Sequence, residues 1–413
     1  MTFPENLAVL ADPVVPGRVP VTLLTGFLGA GKTTLLNRLM PAPEMATAAV
    51  FINEFGEIGV DHHLVERIDD ALVILDSGCL CCTVQGDLIA ELKRLHDRMA
   101  RREIPPVSRV VIETTGLADP MPVVRALMED RFVSARFRCE GIVTVVDAEH
   151  GTGHLARNRE ARLQVSMADR IVMSKTDLAD RATRHALDRR LTELNPAAPR
   201  LTAAEAGRSA GLLFGGGIYA PEATPQDLGG WLGREAGINW SSPVPEVPLR
   251  TAGDAHSGRV RSFSVRLPAP VAWRGFALRI GEVLDCWQDK ILRLKGIVAV
   301  QGIAAPTAIQ CVQATAYAPV RLSRWPDSGV ISAGQGAVVV IGEDLTAADE
   351  AAIRALLGDL PADALALRRA AALPGLATRN WFNERMPLAA RPGLVSDAFL
   401  IQPRFLRDAG RRL

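Results

Sequence analysis

The sequence predicts an α/β fold: a mostly parallel, doubly wound sheet followed by a smaller α+β domain. Three observations carry this reading. Short apolar runs alternate with segments of helical periodicity through the first half of the 413 residues. A glycine-rich turn stands where the first apolar run meets the first helical segment, and beyond residue 260 the pattern changes to apolar–polar alternation. Strands separated by helices imply a parallel sheet covered on both faces, with its ligand at the carboxyl ends of the strands.

Taken in order, the runs at 19–24, 48–52, 72–75, 109–112, 142–146 and 171–173 read as buried strands. Between and after them, apolar residues at three- and four-residue spacing predict helices over 32–40, 85–101, 123–128, 160–167 and 181–194. His150 and His154 have the spacing of metal ligands on a helix, but Gly151 and Gly153 argue against a stable helix there, so that pair is not read as a site. Gly215 to Gly217, followed by Pro221, Pro225, Pro243, Pro245 and Pro248, mark the connection between domains.

In the second half, Phe263, Val265 and Leu267 alternate with Ser262, Ser264 and Arg266, as in a half-buried antiparallel strand. A helix over 273–287 and strands at 297–300, 309–313 and 337–341 follow. Thr346-Ala347-Ala348-Asp349 resembles a capping box with Asp for the usual Glu or Gln and opens a final helix to about 357. The expected division is a nucleotide-binding domain over 17–235, a linker over 236–259, an α+β domain over 260–358, and an extension over 359–413 with no readable function.

Bulk properties exclude several classes. With 47 basic and 46 acidic residues the net charge is +1, which gives no support for a nucleic-acid or membrane-surface partner. No apolar run approaches the ~20 residues that span a bilayer, and residues 1–20 lack the basic start of a secretory signal. A cytoplasmic location is therefore expected, with the six cysteines reduced. Cys139, Cys286 and Cys311 stand alone and are expected to pack in cores.

Gly26-Phe27-Leu28-Gly29-Ala30-Gly31-Lys32-Thr33 is a complete phosphate-binding P-loop between a strand and a helix. Gly26, Gly29 and Gly31 let backbone N–H groups, with that of Ala30, face phosphate oxygens, and the helix N-terminus adds its dipole. Lys32 is expected to reach the β- and γ-phosphates, Thr33 to ligate Mg²⁺ and Thr34 to contact the α-phosphate. Glu113 ends an apolar strand, where it is expected to organise the Mg²⁺ water shell. Three residues on, the Gly116 N–H is expected to sense the γ-phosphate. Ser174-Lys175-Thr176-Asp177 has the form of the base-reading Asn-Lys-x-Asp, with Ser for Asn. A carboxylate at Asp177 accepts from guanine N1–H and the 2-amino group, whereas adenine offers no such donors, so the chain is expected to bind GTP and GDP.

Gly78-Cys79-Leu80-Cys81-Cys82 places three thiols within four residues. Thiolates suit Zn²⁺ and other soft or borderline ions such as Co²⁺, and Cys79, Cys81 and Cys82 supply two or three corners of a tetrahedron. Glu57, water or a partner's ligand would complete it; a buried thiol cluster or a redox pair are the alternatives. The segment Asn53-Glu54-Phe55-Gly56-Glu57-Ile58-Gly59-Val60-Asp61 stands where a γ-phosphate-sensitive switch belongs, with Asp61 a candidate for positioning the attacking water. Adjacent His62 and His63 read as surface residues.

These segments, in this order, resemble the CobW-type GTPases: Gly-Phe-Leu-Gly-Ala-Gly-Lys-Thr-Thr, Asn-Glu-Phe-Gly-Glu, Gly-Cys-Leu-Cys-Cys-Thr, Glu-Thr-Thr-Gly-Leu-Ala-Asp-Pro and Ser-Lys-Thr-Asp. The resemblance spans about residues 19–345, including Leu292-Arg293-Leu294-Lys295-Gly296. It implies slow GTP hydrolysis, Zn²⁺ or Co²⁺ at the cysteines, and delivery of the metal to a client apoprotein. Three departures stand out: Ser174 for Asn, Gln313 where many members carry His, and no His-rich loop. A zinc-responsive GTP-binding switch without metal transfer, or a P-loop phosphotransferase acting on a small molecule, are the other readings.

Overall fold

The structure is a computed structural model that describes residues 18–52, 84–214, 260–267, 269–322, 325 and 334–383. The first part of the chain runs β1 (Val19–Thr25), α1 (Lys32–Leu39), β2 (Ala48–Ile52), α2 (Val84–Ala100), β3 (Arg109–Glu113), α3 (Met121–Glu129), α4 (Arg131–Arg136), β4 (Phe137–Asp147), α5 (Gly151–Arg157), α6 (Arg159–Met167), β5 (Arg170–Ser174), α7 (Arg181–Leu194), β6 (Arg200–Thr202) and α8 (Ala203–Arg208). Six strands pair in the order β2-β3-β1-β4-β5-β6, each pair parallel. The helices cover both faces. Val21 and Leu23 share one core with Leu92 and Leu95 of α2, whereas Leu24 shares another with Leu35 and Leu36 of α1.

The chain leaves β1 toward one side of the sheet, returns through β3, and crosses to the other side at β4, so the strand order reverses around β1. In an open parallel sheet that reversal leaves a crevice at the carboxyl ends of the strands. Gly26, Glu113, Asp147 and Ser174 all stand at or just beyond those ends.

The second part runs β7 (Val260–Leu267), α9 (Trp273–Cys286), β8 (Ile291–Val298), β9 (Thr307–Val312), β10 (Thr315–Ala316), β11 (Val320–Arg321), β12 (Gly336–Glu343), α10 (Ala347–Gly358) and α11 (Asp363–Ala372). Its sheet is antiparallel in the order β10-β9-β8-β12-β7, with β11 also on β9. One face packs against α9 and α10 around Trp273, Phe276 and Ile353. The capping box at α10 forms as expected. The Thr346 hydroxyl accepts from the Asp349 N–H at 3.0 Å and the Asp349 carboxylate accepts from the Thr346 N–H at 2.8 Å.

Several expectations are corrected. Residues 151–157 are helical despite two glycines, because tertiary packing overrides propensity. A Cβ on Gly151 would lie 2.8 Å from Val146 Cγ1, so glycine is what lets α5 approach β4. The strand expected at 297–300 is instead Ile291–Val298; Arg293 and Lys295 hid it, being charged yet fully buried. Residue 357 does not end the fold: α11 follows, and Trp381 is fully buried in the second core, stacked on Trp273 with ring centroids 5.4 Å apart. Cys286 is exposed at the end of α9 rather than packed, whereas Cys311 is buried and burial pushes its thiol up. The Cys139 thiol is likewise raised by burial, to about 12. The expected strand at 72–75 and most of the interdomain connection lie outside the described residues. Among the described residues no helix is long and apolar enough to cross a membrane.

Candidate functional site

The phosphate loop leaves β1 through Gly26 (φ 146°), and a Cβ there would lie 2.3 Å from the Val145 carbonyl oxygen. Only glycine lets the loop press onto β4 at this point. Gly29 and Gly31 take positive φ of 71° and 88°, and α1 begins at Lys32 with no side-chain cap, so its first N–H groups stay directed at the loop. Ala30 is buried and Thr34 exposed. The Lys32 ammonium lies back across the loop, donating to the Gly26 carbonyl at 3.1 Å.

Thr33 Oγ1 donates to Glu113 Oε1 at 2.7 Å. A hydroxyl from the helix start and a buried carboxylate from the end of β3 thus meet beside the loop, a hard oxygen pair that suits Mg²⁺ held partly through water. The donor set fits the cation expected from the sequence. Thr33 would ligate it and Glu113 would accept from its water, and bound Mg²⁺ would supply charge neutralisation between the phosphates.

After β3 the chain turns through Thr114, Thr115 and Gly116. Here Thr114 Oγ1 donates to Thr25 Oγ1 at 2.8 Å, and the Thr114 N–H to the Leu24 carbonyl at 2.9 Å. A Cβ on Gly116 would meet Leu28 N and Cα at 2.7 Å, so this turn rests directly on the phosphate loop. From behind, the Gln164 amide of α6 donates to the carbonyls of Gly116 at 3.1 Å and Ala118 at 3.0 Å.

The third loop follows β5. Ser174 Oγ donates to the Ala30 carbonyl at 2.6 Å, tying this loop to the phosphate loop in spite of the change from Asn. Lys175 takes a left-handed φ of 51° and its ammonium meets Asp147 Oδ2 at 2.7 Å. The other carboxylate oxygen, Asp147 Oδ1, accepts from the N–H groups of Glu149 at 2.8 Å and His150 at 3.1 Å. Burial alone would raise the Asp147 carboxyl, but the Lys175 ammonium and these N–H donors outweigh it and hold it below the usual carboxylate range. Asp177 is exposed just beyond, with its carboxylate accessible to a base. Leu28, Leu117 and Leu178, one from each loop, are 52%, 54% and 61% exposed, so each loop carries an exposed apolar side chain.

The fold thus brings together Gly26, Gly29, Ala30, Gly31, Lys32, Thr33, Thr34, Glu113, Gly116, Ser174, Lys175 and Asp177 at one edge of the sheet. Glu57, Asp61, Cys79, Cys81 and Cys82 lie outside the described residues. Among the described residues no group of three or more His, Cys, Asp or Glu is placed to hold a metal. The His150 and His154 rings stand 6.2 Å apart, with His154 against Phe27 and its imidazole lowered by burial. Sequence reasoning missed Asp147 and Gln164. Asp147 had a signal, an acid ending an apolar strand as Glu113 does, while Gln164 had none.

Residues 20–202 match the family model described as the CobW/HypB/UreG nucleotide-binding domain, and 260–360 that of the cobalamin synthesis protein cobW C-terminal domain. The zinc chaperone YjiA of Escherichia coli is 38% identical over 71% of this chain and 86% of its own length. The zinc chaperone CobW of a Sinorhizobium species is 30% identical over 83% of this chain and 97% of its own. Among solved structures, the Zn(II)-bound YjiA GTPase from E. coli aligns with a TM-score of 0.57 at 28% identity, covering 84% of this chain and 99% of that one. With both family models matched in order across a P-loop sheet and an antiparallel second domain, the chain belongs to the CobW/HypB/UreG family.

Proposed function

We propose that this protein is a GTP-hydrolysing metallochaperone that binds Zn²⁺, or Co²⁺, at Cys79, Cys81 and Cys82 and delivers it to a client metalloprotein under nucleotide control. The observation that carries the enzymatic part is the convergence of the phosphate loop, the Thr33–Glu113 pair and the Ser174–Asp177 loop at one sheet edge. That is the equipment of a GTPase, and the solved relative from E. coli is named the YjiA GTPase. The reaction is attack of water on the γ-phosphoryl group. Lys32 and the N–H groups of the loop stabilise charge on the phosphate oxygens; Asp61 positions the water.

The metal part is supported by donor chemistry and by the names of relatives as zinc chaperones and, in Schizosaccharomyces pombe, a zinc-regulated GTPase metalloprotein activator. Three thiolates within four residues suit a borderline ion, and Glu57 would complete the set. Chain connectivity supports proximity to the nucleotide. The α2 helix delivers the chain to the start of β3, so its first residue, Val84, belongs at the strand-end edge, and Cys82 is two residues away. A cytoplasmic setting keeps the thiols reduced and the client within reach.

The decisive measurement is linkage. Zn²⁺ titrated against a competing chelator into protein loaded with GDP, with a non-hydrolysable GTP analogue or with neither should give affinities that differ ~5–150-fold. Cys81→Ser and Cys82→Ser should each weaken Zn²⁺ sharply, and Co²⁺ should give a thiolate charge-transfer band that vanishes without the three cysteines. Equal zinc affinities in all three states would end the chaperone reading.

A further inference from the structure

Gln164 lies within α6 and is fully buried; its Oε1 has no hydrogen-bond partner among the described residues, so the bonds that hold this amide are those of its NH2 group. Its Nε2 spends both hydrogens on one short stretch of chain, the carbonyls of Gly116 and Ala118. At Gly116 that stretch also rests on Leu28 of the phosphate loop. The turn over 114–118 is therefore clamped between the nucleotide cradle and α6, and any displacement of its backbone acts on the Gln164 amide.

The helix α6 is itself gripped by the second domain at both ends. In its first turn Arg159 makes a forked pair with Glu343 at the end of β12, at 3.1 Å through Nε and 2.7 Å through Nη2. At its last turn Arg293 of β8 donates to the Met167 carbonyl and to Asp169, and the Lys295 ammonium stands 3.1 Å from Asp169 Oδ1. Between these grips Leu163 and Met167 share a core with Leu292, Val312 and Tyr317 of the second domain. A close-packed helix fixed at both ends passes a push on to its neighbours rather than absorbing it.

We propose that Gln164 is a positioning residue that ties the turn at Gly116 to α6, and that α6 carries the nucleotide state into β8 and β12 of the second domain. The inference rests on Gly116 as the γ-phosphate contact. It assigns the second domain the role of responding to the nucleotide state through α6.

Hydrogen exchange of the full chain, with Mg²⁺ and either GDP or a non-hydrolysable GTP analogue, tests this. In the wild-type protein the two states should differ at amides 114–119 and also at β8 and β12. In Gln164→Met the difference at 114–119 should persist while that at β8 and β12 is lost. Arg159→Ala removes a mostly exposed side chain and its pair with Glu343 while leaving the Gln164, Arg293 and Lys295 contacts in place; it should at least halve the response of β12. A general loss of stability does not mimic this, because each readout compares two nucleotide states of one variant. No wild-type difference at 114–119 would remove the γ-phosphate reading of Gly116. A difference there with none at β8 or β12, or one at β8 and β12 undiminished in both variants, would overturn the inference alone.

Discussion

Asp147 shows how a single buried carboxylate sets the conformation of a loop. One oxygen binds the Lys175 ammonium and the other the N–H groups of residues 149 and 150, so the charge is fully used and the lysine stem is held at the loop that ends in Asp177. Replacing it by Asn keeps the shape and an acceptor but loses the charge. Charged hydrogen bonds are worth about 1.5–3 kcal/mol, so Asp147→Asn should weaken GDP binding about tenfold or more while leaving inorganic pyrophosphate binding unchanged. Isothermal titration of both ligands checks this; an equal loss for the two would mean that the phosphate loop, not the base loop, was disturbed. In the same assay Lys32→Ala should lose affinity for both ligands, and its turnover should fall by orders of magnitude.

Among the elements, the segment after residue 358 is part of the second domain's core. Asp363 Oδ1 accepts from the N–H of Arg274 at 2.8 Å, the Thr378 hydroxyl donates to the Ala277 carbonyl at 2.6 Å, and the Trp381 indole donates to the Tyr317 carbonyl at 2.7 Å. These bonds fasten the segment along α9 and onto the sheet. A truncation after 360 should therefore unfold the second domain, and Trp381→Ala should cost about 3–5 kcal/mol by leaving a large cavity. Denaturant unfolding followed by intrinsic fluorescence measures both. A Trp381→Ala midpoint equal to wild type would show that the aromatic stack contributes nothing. The elements of the site behave differently, since the three loops at the sheet edge are held chiefly by side chain to backbone bonds, and a change there alters binding before stability.

Across the whole molecule the two domains meet at a buried charge cluster with two cations on one carboxylate. Burial pushes Asp169 up, but Arg293, Lys295 and the Ile142 N–H outweigh it and keep it ionised. Burial, with Arg293 beside it, lowers the Lys295 ammonium from 10.5 to about 7. Between those values the unfolded chain holds a proton that the native chain has released, so this group makes stability rise with pH from about 7 toward 10.5. Below about 7 both states are protonated and the contribution is flat. Lys295→Met, which fills similar volume without charge, should be more stable than wild type near pH 7, with the advantage shrinking as pH approaches 10. Urea midpoints at several pH values measure it; a constant difference between the two proteins would exclude titration of Lys295 as the cause.

The sequence by itself determined the parallel α/β sheet and the placing of the phosphate loop, Glu113, Gly116 and the Ser174–Asp177 segment at its strand ends, because each depends on local chain chemistry: apolar periodicity, glycines at a strand–helix junction, an acid at a strand end. Tertiary structure alone decided what joins them. Arg293 and Lys295 look like breaks in a strand until Asp169, more than a hundred residues earlier, is seen to offset their charge. Gln164 looks like any polar helix residue until the Gly116 and Ala118 carbonyls are found against it. Gly151 looks like a helix breaker until β4 leaves no room for a Cβ. For Arg293, Lys295 and Gln164 the deciding partner is distant along the chain, and burial changes the energy of the group more than its local propensity does.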